Sequence, residues 1–198
     1  PQRWQLGAAI VRLWGSDDGV FWIAHTGASQ VFALRRGVAT PTLLGDTHTL
    51  RGIPIALNPR RSAAALVLEG DEALVHYDAS SDRAVRDPLT FPATSAVAYS
   101  PSGERLAVTL AGRKVRILAD PYEPGREIDL PEDGCGVGFV AEDELAVVGQ
   151  FGSLIRVDLV LGEAALIQRE WTQTRQPTMQ ILVRPDGQLM LFEPLGLE

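Results

Sequence analysis

The sequence is poor in cysteine and histidine. Its 198 residues include one cysteine, Cys135, and three histidines. A single cysteine excludes a framework of internal disulfide bonds, and no two of the histidines have the spacing of metal ligands. A chain of this length can bury enough apolar surface to fold without such cross-links. We therefore expect neither a metal site nor a cofactor.

Long apolar runs and an excess of basic residues are also missing. No run approaches the roughly 20 apolar residues that a membrane-spanning helix needs, and the N-terminal segment PQRWQLGAAIVRLWGSDDG lacks the cleavage pattern of a secretory leader. The formal net charge of −7 argues against general binding of nucleic acids. These absences predict a cytoplasmic protein that binds neither membranes nor nucleic acids.

Helical periodicity is absent as well. No window shows a sustained apolar period of about 3.6 residues between capping residues, so we expect few helices. The apolar runs are short, rich in Val, Ile, Leu and Tyr, and bounded by turn residues, which is typical of strands. Even EALVHYDASSDRAV, which could be mistaken for a helix, contains the turn cluster Asp-Ala-Ser-Ser-Asp between two strand patterns.

What the sequence does contain is a repeat. The segment VAYSPSGERLAVTLAGRKVRILAD, residues 97–120, has relatives at 53–78, 137–158 and 179–193, and a weaker one at 10–35. Equivalent turns fall at five positions separated by 43, 42, 40 and 44 residues: Ser16, Pro59, Pro101, Ala141 and Pro185. Near-constant spacing of this kind indicates one structural unit per copy.

Each copy has the pattern of a small antiparallel sheet. In the third copy we expect four strands, a to d: VAYS, RLAVTL, KVRIL and REIDL. Pro-Ser-Gly supplies the turn between strands a and b, and Ala-Gly supplies a tight hairpin between b and c. Four antiparallel strands repeated at this interval are typical of a β-propeller blade.

The sequence therefore predicts an all-β fold, a β-propeller of four-stranded antiparallel blades in one domain, 1–198. The blades span approximately 7–45, 53–91, 94–131, 135–171 and 178–193, the last one incomplete, with residues 1–6 as an additional N-terminal strand. Pairing of that strand with the last blade would close a ring of about five blades and remove both sheet edges. Two alternatives stay open: a part of a larger propeller, and a homodimer in which two chains complete one ring.

The middle of the third copy, VAYSPSGERLAVTLAGRKVRIL, resembles the WD40-type propeller repeat. The resemblance covers roughly residues 53–193 and, weakly, 8–45; VRPDGQL at 183–189 and SDDG at 16–19 match the turn between strands a and b. No copy ends strand c in Trp-Asp, and Tyr77-Asp78 and Val157-Asp158 come nearest. The resemblance implies a scaffold for protein contacts, without the Asp–His–Ser–Trp hydrogen-bond tetrad of that family.

Candidate binding residues lie in the loops that would form one end of the blades. The connection GDTHTLRG offers Asp46, His48 and Arg51, and Trp171 in REWTQTRQP is a possible aromatic anchor. Gln150 and Arg175 are further polar candidates. The loops expected to carry contacts are those near 26–30, 45–52, 70–72, 91–94, 111–113, 131–134, 150–153 and 171–177.

Other features are expected to be structural. We interpret the acidic stretch DLPEDGCGVGFVAEDE, 129–144, as solvated turns, because its carboxylates do not have the arrangement of a glycosidase pair or a calcium loop. Its glycines open a strand rather than a phosphate-binding helix, and Cys135 is expected to be a small buried residue.

Two functions follow from these patterns. The leading prediction is a non-enzymatic scaffold that binds a protein partner through its loops. The alternative is an enzyme or small-ligand binder with a polar site over the central channel, formed by residues such as His48, Arg51, Gln150 or Arg175. An enzyme would need acidic, basic and nucleophilic side chains from several blades directed at one axial point.

Overall fold

A computed structural model describes residues 3–47, 53–68, 73–88, 93–119, 125–168, 180–183 and 189–192. Every regular element in these ranges is a β-strand. No described segment forms a helix that is long and apolar enough to cross a membrane. The chain divides into two compact units, residues 1–89 and 90–198.

The first unit contains two four-stranded antiparallel sheets, each in the simple strand order of the chain. Sheet 1 consists of β1 (Ile10–Gly15), β2 (Phe21–Thr26), β3 (Gln30–Arg35) and β4 (Thr42–Asp46). Sheet 2 consists of β5 (Ile55–Leu57), β6 (Ala63–Leu68), β7 (Ala73–Asp78) and β8 (Arg83–Pro88).

The second unit repeats this architecture and adds a hairpin. Sheet 3 consists of β9 (Ala93–Tyr99), β10 (Leu106–Leu110), β11 (Lys114–Leu118) and β12 (Arg126–Asp129). Sheet 4 consists of β13 (Gly134–Ala141), β14 (Glu144–Gly149), β15 (Leu154–Asp158) and β16 (Glu163–Gln168). Sheet 5 consists of β17 (Gln180–Val183) and β18 (Leu189–Phe192).

Local sequence explains these strands. In sheet 3, Leu106–Leu110 is wholly apolar except for Thr109, and all five residues are buried. The hairpin to β11 is tight because Gly112 and Arg113 both have positive φ, +81° and +59°. Ser102 and Gly103 follow Pro101 in the turn between β9 and β10, where the Gly103 N–H donates to the Ser100 carbonyl at 2.8 Å. The expected Pro-Ser-Gly turn and Ala-Gly hairpin are therefore both present.

Each unit has one hydrophobic core between its first two sheets. In the first unit, Phe21, Ile23 and Val31 of sheet 1 pack with Leu66, Val75 and Tyr77 of sheet 2. The Phe21 and Tyr77 rings have centroids 5.9 Å apart at an interplanar angle of 60°. In the second unit the core is aliphatic apart from Phe139, and its buried members include Ala107, Val115, Leu145, Val147, Ile155 and Val157.

The two cores show that the sheets stack in one sense. In sheet 1, the paired residues Trp22 and Leu34 alternate with the core residues and face away from sheet 2. The equivalent pair of sheet 2, Ala64 and Tyr77, faces sheet 1. These pairs are equivalent because Trp22 and Ala64 each also pair with the last residue of the preceding strand.

The second unit follows the same rule. Leu106 and Leu118 of sheet 3 are paired and face away from the core shared with sheet 4. The equivalent pair of sheet 4, Leu145 and Val157, faces into that core. We call the side that carries these pairs the back face of each sheet and the opposite side its front face. Both junctions therefore pack a front face on a back face, which is a head-to-tail arrangement rather than a symmetric sandwich.

The second unit also stacks more than two layers. Strand β13 lies beside β9 of sheet 3 and beside β17 of sheet 5, and β12 lies beside β16. First strands thus neighbour first strands, and last strands neighbour last strands. A two-layer sandwich gives each sheet one neighbour, whereas sheet 4 has two.

The N-terminal segment takes a different course from the predicted one. Residues 3–9, which include part of the predicted strand at 1–6, are not assigned to a strand. Instead the Trp4 ring packs on Trp22 with centroids 5.7 Å apart, and its indole N–H donates to the Val38 carbonyl at 2.9 Å. The pairing predicted between this segment and the last copy stays a prediction.

Candidate binding surface

The candidate site lies at the loop end of the sheets, by which we mean the end with the hairpins between strands b and c and the connections to the next sheet. In the second unit Asp133, in the connection between β12 and β13, holds two hairpins together. Its side-chain Oδ1 accepts a hydrogen bond from the Arg113 N–H at 2.8 Å. Its backbone carbonyl accepts one from the Gln150 N–H at 2.8 Å. One residue therefore ties the hairpin of sheet 3 to that of sheet 4.

The backbone of Arg113 is fixed from both sides. Its N–H binds Asp133, and its carbonyl accepts a hydrogen bond from the Leu130 N–H at 2.7 Å. These contacts hold an arginine in the left-handed conformation, where a Cβ is unfavourable. The Arg113 side chain is exposed. The backbone of Arg113 is therefore held in place, whereas its guanidinium group lies in solvent.

The neighbouring hairpin presents an aromatic side chain. Phe151 follows Gln150 at the tip between β14 and β15 and is 38% exposed. The tip is closed by two hydrogen bonds, from the Gly152 N–H to the Gly149 carbonyl at 2.9 Å and from the Gly149 N–H to the Ser153 carbonyl at 2.8 Å. An aromatic ring on a closed turn is available for contact at low entropic cost.

Glu132 lines the base of the same surface. Its carboxylate lies directly over Gly149, where a Cβ would collide with Oε1. Oε1 is buried and has no hydrogen-bond partner among the described residues. The neighbouring Cys135 is buried, as the sequence predicted, and its thiol lies 3.3 Å from the Gly149 carbonyl. Gly149 is therefore required for the close approach of the Glu132 carboxylate.

A charged ladder runs from this end along the outer strands of sheet 3. Glu127 of β12 accepts hydrogen bonds from Lys114 at 2.9 Å and from Arg116 at 2.7 Å. The hydrogen bond from Arg116, followed by that from Lys114, lowers the pKa of Glu127. The same contact with Glu127 raises the pKa of Lys114. These charges satisfy one another, so this ladder stabilises the rim rather than offering a free charge.

The loop end of the first unit is built around a buried histidine. His25 is fully buried, and its Nε2 lies 3.3 Å from the Thr47 hydroxyl. Burial, with a smaller contribution from the Arg12 guanidinium, lowers the pKa of His25. The Thr47 N–H donates to the Ser29 carbonyl at 2.7 Å. In the second unit, the hydrogen bond from the Leu130 N–H to the Arg113 carbonyl occupies the corresponding place. Ser29 also has a positive φ, +60°.

The structure describes two of the six predicted binding residues. Asp46 ends β4 and is exposed. Gln150 is half-buried and bonds through its backbone to Asp133, as described above. His48, Arg51, Trp171 and Arg175 lie outside the described residues. Asp46 belongs to the first unit and Gln150 to the second.

The interpretation of residues 129–144 as solvated turns is wrong for three of its carboxylates, since the Glu132 Oε1 is buried as described above. Asp133 organises the loop end, and Glu142 binds the opposite end of the sheet 3–sheet 4 junction. There Glu142 accepts hydrogen bonds from the N–H and from the hydroxyl of Ser102, the latter at 3.0 Å. Repeat spacing places both residues in connections, but it does not show that the neighbouring sheet supplies donors for them.

The described loop end of the second unit presents an exposed guanidinium group and a partly exposed aromatic ring on a hydrogen-bonded backbone. Within the described ranges, no cluster of three or more His, Cys, Asp or Glu side chains could hold a metal ion. The chain matches no model of a known protein family and no curated protein. The repeated four-stranded antiparallel sheets are compatible with a propeller-like all-β fold, and the similarity to WD40 repeats is a resemblance in sequence pattern.

Proposed function

We propose that this protein is a WD40-like propeller that acts as a non-enzymatic scaffold for protein contacts. The head-to-tail stacking supports this reading, because front-on-back packing can continue around an axis. In the proposed fold sheets 1 to 4 are four blades and sheet 5 begins a fifth. The loop ends then present side chains from several blades to a partner.

The observation that carries the proposal is the double use of Asp133. By binding Arg113 and Gln150 it fixes two hairpins in one relative position. The exposed Arg113 guanidinium and the Phe151 ring then project from a rigid base. Arginine and aromatic residues are enriched at the energetic centres of protein interfaces, and a preformed surface loses little entropy on binding. A partner that combines an acidic group with an apolar side chain suits this pair.

The alternative of an enzyme or a small-ligand site over a central channel stays a prediction. Three of the four residues named for it, His48, Arg51 and Arg175, lie outside the described residues. The fourth, Gln150, contributes its backbone to the Asp133 bridge.

A photo-crosslinking experiment in the source cells tests the proposed surface. A photoreactive phenylalanine analogue placed at position 151 should give one discrete adduct with a partner protein. The same analogue at Val160, which is 70% exposed on the turn between β15 and β16, is the matched control and should give none. Equal labelling from both positions would contradict the proposal.

Two alanine variants then separate binding from folding. Arg113→Ala should reduce the yield of the adduct without lowering the melting temperature, because its side chain is exposed. Arg156→Ala, another partly exposed arginine of the same unit that pairs with Glu144, should leave the adduct unchanged. An adduct insensitive to Arg113→Ala would remove the guanidinium from the proposed contact.

A further inference from the structure

We draw no further inference here: the strongest candidate, the half-exposed apolar row from Leu13 to Leu43 on the back face of sheet 1, carries none because nothing in the structure shows what covers that sheet face.

Discussion

The sheet 1–sheet 2 junction and the sheet 3–sheet 4 junction share one plan but use different chemistry at its rim. Both have a front-on-back apolar core. In the first, Ser62 of sheet 2 donates to Asp18 of sheet 1 at 3.0 Å. In the second the roles are exchanged, since Ser102 of sheet 3 donates to Glu142 of sheet 4.

A second pair of contacts shows the same plan. Arg35 of sheet 1 donates to the Ala79 carbonyl at 2.7 Å, just after strand c of sheet 2. Arg126 of sheet 3 donates to the Leu159 carbonyl at 3.1 Å, just after strand c of sheet 4. A guanidinium group reaches the same backbone position in each unit, although it comes from a different strand. Apolar stacking is therefore the feature that both junctions share, whereas the polar contacts at the rim can be made by different residues.

Truncating the two cores should give the largest difference. Tyr77→Ala removes a buried ring that contacts Phe21 and should cost about 4 kcal/mol of unfolding free energy. Val157→Ala at the equivalent position should cost about 2 kcal/mol. Urea denaturation provides the measurement, with fluorescence reporting mainly the first unit, which contains Trp4, Trp14 and Trp22. Equal costs would contradict the prediction that the larger buried ring contributes more to its core.

Cutting the polar rims should have a smaller effect, and a larger one in the second unit. Glu142→Ala removes the acceptor for two donors of Ser102 and should cost about 2 kcal/mol, because one of them is a partly buried N–H. Ser62→Ala, which loses one exposed hydrogen bond, should cost less. Arg105→Ala breaks an ion pair with Asp143 whose side chains are 39% and 56% exposed, and it should cost at most about 1 kcal/mol. A larger loss for Ser62→Ala than for Glu142→Ala would reverse the comparison.

Acidification should change the stability of the first unit, which contains His25, by less than the substitutions above. Because burial lowers the pKa of His25, the unfolded chain takes up this proton before the folded chain does. The stability that His25 contributes is complete above the ordinary histidine pKa of about 6.5 and is lost as pH falls from there through its lowered folded value. His25→Gln should flatten this slope in the fluorescence-detected transition. An unchanged slope would exclude His25 as its source.

The smallest expected effect is a gain in stability. Ser29 and Arg113 occupy equivalent positive-φ positions, where glycine is favoured over residues with a Cβ. Ser29→Gly and Arg113→Gly should each stabilise their unit by about 0.5 kcal/mol. Arg113→Gly should also lose the proposed partner contact, whereas Ser29→Gly should retain it. If both substitutions destabilise the protein, the Ser29 and Arg113 side chains make stabilising contacts that outweigh their unfavourable positive φ.

Much of the sheet architecture could be predicted because strand and turn signals are local. The pattern KVRIL matches β11, Lys114–Leu118. Within EALVHYDASSDRAV, β7 spans Ala73–Asp78 and β8 begins at Arg83 after a turn, so the described part of this segment is not a helix. The glycines at 134–138 open β13 as expected.

The contacts between copies could not be predicted in this way. Residue spacing does not show that Asp133 accepts from two hairpins, or that Arg113 rather than a glycine takes a left-handed conformation beside Gly112. Trp4 lies in a segment predicted as a strand, but its packing depends on Trp22, 18 positions away, and on the Val38 carbonyl. Such contacts depend on how sheets meet, which a single copy of the repeat does not encode.

Aromatic side-chain NOEs in the first unit test the central claim, head-to-tail stacking, most directly. Head-to-tail stacking predicts a cross-peak between the rings of Phe21 and Tyr77, whose centroids are 5.9 Å apart, and a cross-peak between Trp4 and Trp22 on the opposite face. A cross-peak between the Trp22 and Tyr77 rings, without one from Phe21, would place the back face of sheet 1 against sheet 2 and contradict it.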